Sequence, residues 1–236
     1  MSQTVLITGS NRGVGLALVE KHIERGDTVL ATCRVPEKAK ALNALTAEHD
    51  SALHVLPLDV NDEASVLAAC KLAANLVPVV DLLINNAAVG PMDTESALET
   101  LEIKRFLHTF ETNCLGPVRV TRGLLPLLKK SAVARVANIS SGAGHITAKT
   151  DHGMYAYGTS KAALNFLTRT LAAELEPMGI TVIAVSPGWV KTDMGGPEAT
   201  LAPSESATGI ASTIDGVRID MTGQWFDYDG TKCDTW

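Results

Sequence analysis

The chain has 236 residues, within the range of one large α/β domain and long enough to bury a sizeable core. Apolar residues make up 46% and aromatics only 4%, so the core must be mostly Ala, Val, Leu and Ile, which suits helices packed closely on a sheet. A net charge of −6 with no basic cluster argues against nucleic acid as a partner, and no apolar run approaches the roughly 20 residues that span a bilayer.

Residues 4–8 form a short β-branched and apolar run, read as a buried first strand. They pass directly into Gly9-Ser10-Asn11-Arg12-Gly13-Val14-Gly15 and then into the amphipathic residues 16–24. Strand, glycine-rich turn and helix are the setting that a dinucleotide-binding loop requires: glycines let backbone approach a pyrophosphate, and a helix N-terminus offers amide hydrogens. The spacing of Gly9, Gly13 and Gly15 departs from GxGxxG. A second strand, residues 28–32, ends at Cys33-Arg34. In dinucleotide folds an acid near this point holds the adenosine ribose, whereas an arginine accommodates a 2′-phosphate. With Arg34 here, Arg12 in the loop and no acid, the expected cofactor is NADP(H).

Residues 36–45 read as a helix and residues 52–58 as a third strand, which ends in Asp59-Val60. Asn61 and Asp62 are both good N-cap residues for a helix running to about Leu76. Residues 79–84 are nearly all apolar, as expected for a central parallel strand, and stop at Asn85-Asn86-Ala87-Ala88. A helical pattern over 95–130 is interrupted near Leu115-Gly116-Pro117, with Asn113 just before the interruption. The fifth strand, 133–139, opens into Ser140-Ser141-Gly142, and 144–153 is polar and irregular. The helix that follows runs to about Leu175 and carries Tyr157 and Lys161 one turn apart on one face. An ammonium close to a phenol favours the phenolate and lowers its pKa from about 10, which makes the pair a candidate acid/base unit. A sixth strand, 180–185, closes at Ser186-Pro187-Gly188. Residues 192–204 contain Gly195, Gly196, Pro197 and Pro203 and read as a mobile flap. A helix over 204–214 and a last strand over 224–227 complete the chain.

This alternation predicts an α/β fold. A single doubly wound Rossmann domain spans residues 1–236, with a parallel sheet of about seven strands and helices on both faces. Gly9, Cys33, Asp59, Asn85, Ser141 and Gly188 each follow a strand, so all are expected on the crevice edge. Cys33, Cys70, Cys114 and Cys233 are scattered without a CxxC, and the N-terminus starts a strand without a basic-then-apolar leader. Both point to a cytoplasmic protein with reduced thiols. The histidines lack metal-ligand spacing, so no metal site is expected.

The motifs together resemble the short-chain dehydrogenase/reductase family: residues 8–15, Asp59-Val60, Asn85-Asn86-Ala87, Asn113, Ile139-Ser140-Ser141, Tyr157 with Lys161, and Pro187-Gly188 followed by Thr192. They stand in the family's order along nearly the whole chain. Within the family, residues 186–194 and 226–230 are similar to the C-factor and sniffer-type carbonyl reductase branch. Ala88 departs from the family, which usually has Gly there.

The resemblance implies an NADPH-dependent oxidoreductase that reduces an aldehyde or ketone. Its implied catalytic set is Asn113, Ser141, Tyr157 and Lys161. Tyr157 protonates the carbonyl oxygen, Lys161 lowers its pKa and binds the nicotinamide ribose, Ser141 rather than Ser140 bonds the substrate oxygen, and Asn113 holds a water in the proton path. Gly9, Asn11, Arg12 and Val14 are implied at the phosphates and adenosine, Asp59 and Val60 at the adenine, Asn86 by the ribose and Thr192 near the carboxamide. Gly13, Gly15, Arg34, Ala87, Pro187, Gly188 and Val190 complete the implied cofactor set. The alternative is an NADP-binding signalling or regulatory protein with little turnover, against which the intact catalytic set argues. A methyltransferase on a related fold would leave Tyr157, Lys161 and Ser141 unexplained. The expected partner is a small carbonyl or alcohol, with no nucleic acid and no membrane, and apolar stripes on the two long helices permit a homodimer or homotetramer.

Overall fold

Apolar runs of alternating orientation dictate the sheet, because side chains on a strand point to opposite faces in turn. In the computed structural model, which describes residues 2–49, 51–91 and 97–236, seven strands form one all-parallel sheet. They are β1 (Thr4–Thr8), β2 (Thr28–Cys33), β3 (Leu53–Pro57), β4 (Leu82–Asn85), β5 (Arg135–Ile139), β6 (Thr181–Ser186) and β7 (Trp225–Asp227), in the order β3-β2-β1-β4-β5-β6-β7. Val5 and Ile7 of β1 enter one core while Leu6 enters the other; Val29 and Ala31 against Leu30 repeat this on β2, and Leu82 and Ile84 against Leu83 on β4.

The first core is covered by α1 (Gly13–Glu24), α2 (Lys40–Glu48) and α7 (Pro203–Gly216) through Leu18, Leu42 and Ile210. The second is covered by α3 (Glu63–Leu76), α5 (Gly116–Leu128) and α6 (Tyr155–Leu175) through Val66, Leu124 and Leu175. The strand order reverses between β1 and β4, so the crevice opens there, at the carboxyl ends of the strands.

The opposite edge is closed by polar contacts. Asp27 accepts from the Gln3 N–H at 3.0 Å and is 2.7 Å from Nδ1 of His22, and both side chains are buried. Arg135 donates to Gln3 Oε1 at 2.8 Å, and Asp81 accepts from the Thr4 N–H at 2.8 Å. Burial alone would raise the Asp27 carboxyl, but the bonds from His22 and Gln3 outweigh it and hold it below the usual range.

Three elements differ from expectation. Residues 36–45 are not one helix: a 3₁₀ turn, Pro36–Lys38, precedes α2, and Ala39 between them leaves the helical region at ψ 66. The long helix expected over 95–130 begins in part outside the described residues. What is described is a 3₁₀ turn, Leu98–Thr100, whose Thr100 hydroxyl bonds Ala97 O, then α4 (Ile103–Phe110), a π-helical turn (Glu111–Leu115) and α5. The wide turn falls where Pro117 cannot supply the N–H that the Asn113 carbonyl would accept in an α-helix. Residues 192–202 contain no helix, as expected, but they are tied down: Lys191 N–H bonds Leu201 O at 2.9 Å, Gly196 N–H bonds Thr192 O at 2.9 Å, and Trp189 Nε1 bonds Gly195 O at 2.8 Å.

Candidate active site

β1 delivers the chain into the glycine loop at the crevice. Gly9 has φ +68, and a Cβ there would lie 2.8 Å from the Ala87 Cα. A Cβ on Gly15 would lie 2.2 Å from the Gly9 carbonyl oxygen. Only glycine fits either position, so the loop folds back tightly against the end of β4. Asn86 locks it there: its Nδ2 donates to Thr8 O at 2.9 Å and to Gly9 O at 3.2 Å. The Asn86 amide is therefore a clamp on the loop as well as part of the groove wall. Helix α1 then starts with no side-chain cap from Arg12 and no acid in its first turn, which leaves its first N–H groups and positive end directed at the groove.

That groove has a volume of about 660 Å³. Its walls include the expected Gly9, Asn11, Arg12, Gly13, Val14, Gly15, Arg34, Asp59, Val60, Asn86, Ala87 and Thr192. Val60 is buried and packs where Gly116 leaves room, and Asp59 accepts from the Asn61 N–H at 3.0 Å. At one end Arg34 is joined by Lys38, a cation that the sequence reading missed. The 3₁₀ turn begun by Pro36 brings Lys38 onto the same groove wall as Arg34. Neither has a carboxylate within ion-pair reach among the described residues. Arg12 lines the same groove, and its guanidinium pairs with Asp193 at 2.5 Å, with both side chains exposed.

A second cavity, also of about 660 Å³, adjoins the groove, and Val14, Thr192 and Met194 line both. Ser141 and Tyr157 stand on its wall. Pro187, Gly188 and Val190, expected at the cofactor, line this second cavity rather than the groove. Sequence reasoning also missed His145, Trp225, Asp227 and Cys233 on its wall.

Ser141 follows β5 and caps a 3₁₀ turn, Gly142–Gly144, accepting from the Ala143 N–H at 3.1 Å. It also hydrogen-bonds Tyr157. Ser140 is buried and spends its hydroxyl on Asn165, which leaves Ser141 as the serine on the cavity. Helix α6 begins after Met154, which has φ 53, and sets Tyr157 and Lys161 one turn apart. Lys161 is 3% exposed, lines neither cavity, donates from Nζ to Ile139 O at 2.7 Å and lies 5.8 Å from the centre of the Tyr157 ring. Asn113, also buried, holds the Val89 backbone at both groups: Oδ1 accepts from its N–H at 2.8 Å and Nδ2 donates to its carbonyl at 2.9 Å. Its Nδ2 also reaches Ser160 Oγ at 3.0 Å, which ties the π-helical turn to α6.

Burial pushes the Tyr157 phenol above its ordinary value, and the Ser141 hydrogen bond pulls it back in part. Burial pushes the Lys161 ammonium down to about 8. In this arrangement burial and the Ser141 bond set the direction of the Tyr157 shift, while the Lys161 ammonium donates to Ile139 O and lies 5.8 Å from the ring centre. The arrangement still places a hydroxyl pair, Ser141 and Tyr157, on a cavity wall beside a groove shaped for a dinucleotide.

Comparison with known proteins agrees with this geometry. Residues 3–200 match the short chain dehydrogenase family. C-signal of Myxococcus xanthus is 45% identical over 153 residues, covering 65% of this chain and 91% of that protein. The carbonyl reductase Sniffer of D. melanogaster is 34% identical with a TM-score of 0.95, covering all of both chains. The NADPH-bound carbonyl reductase from chicken fatty liver is 32% identical with a TM-score of 0.93, covering 100% of this chain and 99% of that one. With its sheet order, its glycine loop and a match along most of its length, this chain belongs to the short chain dehydrogenase family of oxidoreductases.

Proposed function

We propose that the protein is an NADPH-dependent carbonyl reductase in which residues 1–236 act as one unit, converting an aldehyde or ketone to an alcohol. The observation that carries this reading is the Ser141–Tyr157 hydroxyl pair on the wall of a cavity that meets the groove at Thr192. The groove fits NADP(H): Gly9 and Gly15 let the loop fold back tightly so that the uncapped start of α1 faces the groove, and Arg34 with Lys38 suits a 2′-phosphate. Bound there, the cofactor supplies the hydride.

The chain's own residues supply the rest. Ser141 hydrogen-bonds the substrate oxygen, where negative charge develops, and Tyr157 gives it a proton from the phenolic oxygen. Lys161, one turn from Tyr157 and 5.8 Å from its ring centre, would bind the nicotinamide ribose and support the phenolate that forms on Tyr157. Asn113 holds the π-helical turn against α6 and Val89, and its carbonyl, deprived of an α-helical donor by Pro117, offers an acceptor for a water in the proton path. Thr192 stands where groove and cavity meet, the place for the carboxamide. The four free thiols favour a reducing, cytoplasmic setting, and among the described residues no helix is long and apolar enough to cross a membrane.

Tyr157→Phe removes the proton donor and keeps the ring. Carbonyl-dependent NADPH oxidation should fall at least about 10²-fold, with NADPH binding nearly unchanged. Wild-type rates in a folded variant would remove Tyr157 from the role. The likeness to C-signal supports a second reading, a signalling protein with little turnover. NADPH binding with no oxidation across ketones, aldehydes and quinones would favour it.

A further inference from the structure

The second cavity is walled largely by apolar groups, among them Trp189, Trp225, Met154 and Met194, but its charges are unbalanced. Lys149 is neutralised by Asp151 at 2.8 Å. His145 accepts from the Ala148 N–H at Nδ1, at 3.1 Å, and its Nε2 lies 3.0 Å from Thr235 Oγ1. Asp227 is different. It stands half-buried at the end of β7 and takes a hydrogen bond from the Ser186 hydroxyl, yet among the described residues it has no cation within ion-pair reach. Burial and the charge of Asp229 both raise its pKa, which marks a carboxylate short of positive charge. Cys233 on the same wall is held as a thiol by burial and by the charges of Asp227, Asp229 and Asp234. Asp234 is paired with Lys232 at 3.7 Å, so Asp227 and Asp229 carry the negative field at this end of the cavity.

Topology sets the reach. Ser141 follows β5 and Asp227 ends β7, two strands away through Ser186 of β6. Neighbouring strands lie about 4.8 Å apart, so the two backbones are on the order of 10 Å from each other. A molecule whose carbonyl rests on Ser141 and Tyr157 presents its far end to Asp227.

We propose that Asp227 is a specificity-determining residue. It selects carbonyl compounds that carry a cationic amine at the end remote from the carbonyl, and it disfavours those that carry a carboxylate there. This deepens the carbonyl reductase reading and rests on it for the identity of the reacting group.

The test uses the full chain and a matched set of aryl ketones: para-acetylbenzylamine, para-acetylbenzyl alcohol and para-acetylbenzoate. In the wild type, kcat/KM with NADPH should favour the amine over the benzoate by about 10-fold or more, the low end for a charge-assisted bond to a half-exposed group. In Asp227→Asn the ratio should shrink to within about threefold. A wild-type ratio near one, or the same ratio in the variant, overturns the proposal. If the variant does not fold, added salt serves instead. The Debye length falls to about 3 Å at 1 M, so the wild-type ratio should shrink, and a ratio indifferent to salt overturns the proposal.

Calorimetric titration of the same three compounds into protein loaded with oxidised cofactor separates the two readings. Amine-selective binding with no turnover of any ketone would sink the reductase reading and sustain the role of Asp227. Equal binding, or no binding of any of the three, would sink the role of Asp227.

Discussion

Lys161 is an ammonium in a place that disfavours it. Its pKa of about 8 in the folded protein compares with about 10.4 in an unfolded chain. Between those values the unfolded chain binds the extra proton, so stability must rise with pH across that window. Below about pH 8 both states are protonated and the full penalty is present, at most about 3 kcal/mol. Lys161→Met should therefore gain on wild type at pH 7 and lose that advantage by about pH 10. Urea midpoints at intervals between those pH values would show it, and a constant gap would mean that Lys161 is not desolvated in solution. At the groove, Arg34 and Lys38 have no carboxylate within ion-pair reach among the described residues. Arg34→Ala should reduce the NADPH-over-NADH preference in kcat/KM by about 10-fold, mainly through KM, and Lys38→Ala by less. Equal kcat/KM for both cofactors in wild type would remove the phosphate from this site. Arg34 was legible in the sequence because it directly follows a strand. Lys38 was not, because only the turn started by Pro36 brings it onto the same groove wall.

At the scale of elements, strands were read well because each apolar run ends at a chemically distinctive residue: Gly9, Asp59, Asn85, Ser141. Helix interiors were read less well. The interruption expected near Leu115-Gly116-Pro117 is present, but its form, a π-helical turn, was not legible, since its cause is shared between Pro117 and the contacts of Asn113 with Val89 and Ser160. The segment after Thr192 is the converse case. Its glycines and prolines suggest mobility, yet Ala199 is buried, and a Cβ on Gly195 would lie 2.0 Å from the Val190 oxygen. There glycine serves close packing rather than freedom. The amides of Lys191, Gly196 and Leu201 should consequently exchange slowly, as their backbone bonds require. Exchange at the rate of an unstructured peptide would restore the picture of a loose flap.

For the whole molecule, the open question is assembly. Ile103, Leu107 and Phe110 form one exposed stripe on α4 at helical spacing, and Phe166 on the neighbouring α6 is 72% exposed. A face shared by two adjacent helices can pair with its own copy about a two-fold axis, and we propose a homodimer through it. Leu107→Glu should convert a dimer to a folded monomer, read by light scattering with unchanged circular dichroism. A monomeric wild type would overturn the assignment. Topology was legible at this scale because strands and helices alternate without a break. The make-up of the second cavity was not, since Trp225, Asp227 and Cys233 come from the last strand and the tail after it, far in sequence from Ser141.

The two ends of the strands carry separate burdens. The carboxyl ends hold every candidate group for chemistry, while the buried His22–Asp27 pair, Gln3 and Arg135 secure the amino ends. An engineer, or natural drift, can therefore revise one end without consulting the other. Libraries that seek heat tolerance belong at the His22 edge, where the buried Nε2 has no partner among the described residues. Libraries that seek new substrates belong at the Asp227 edge, and gains from the two should combine almost independently.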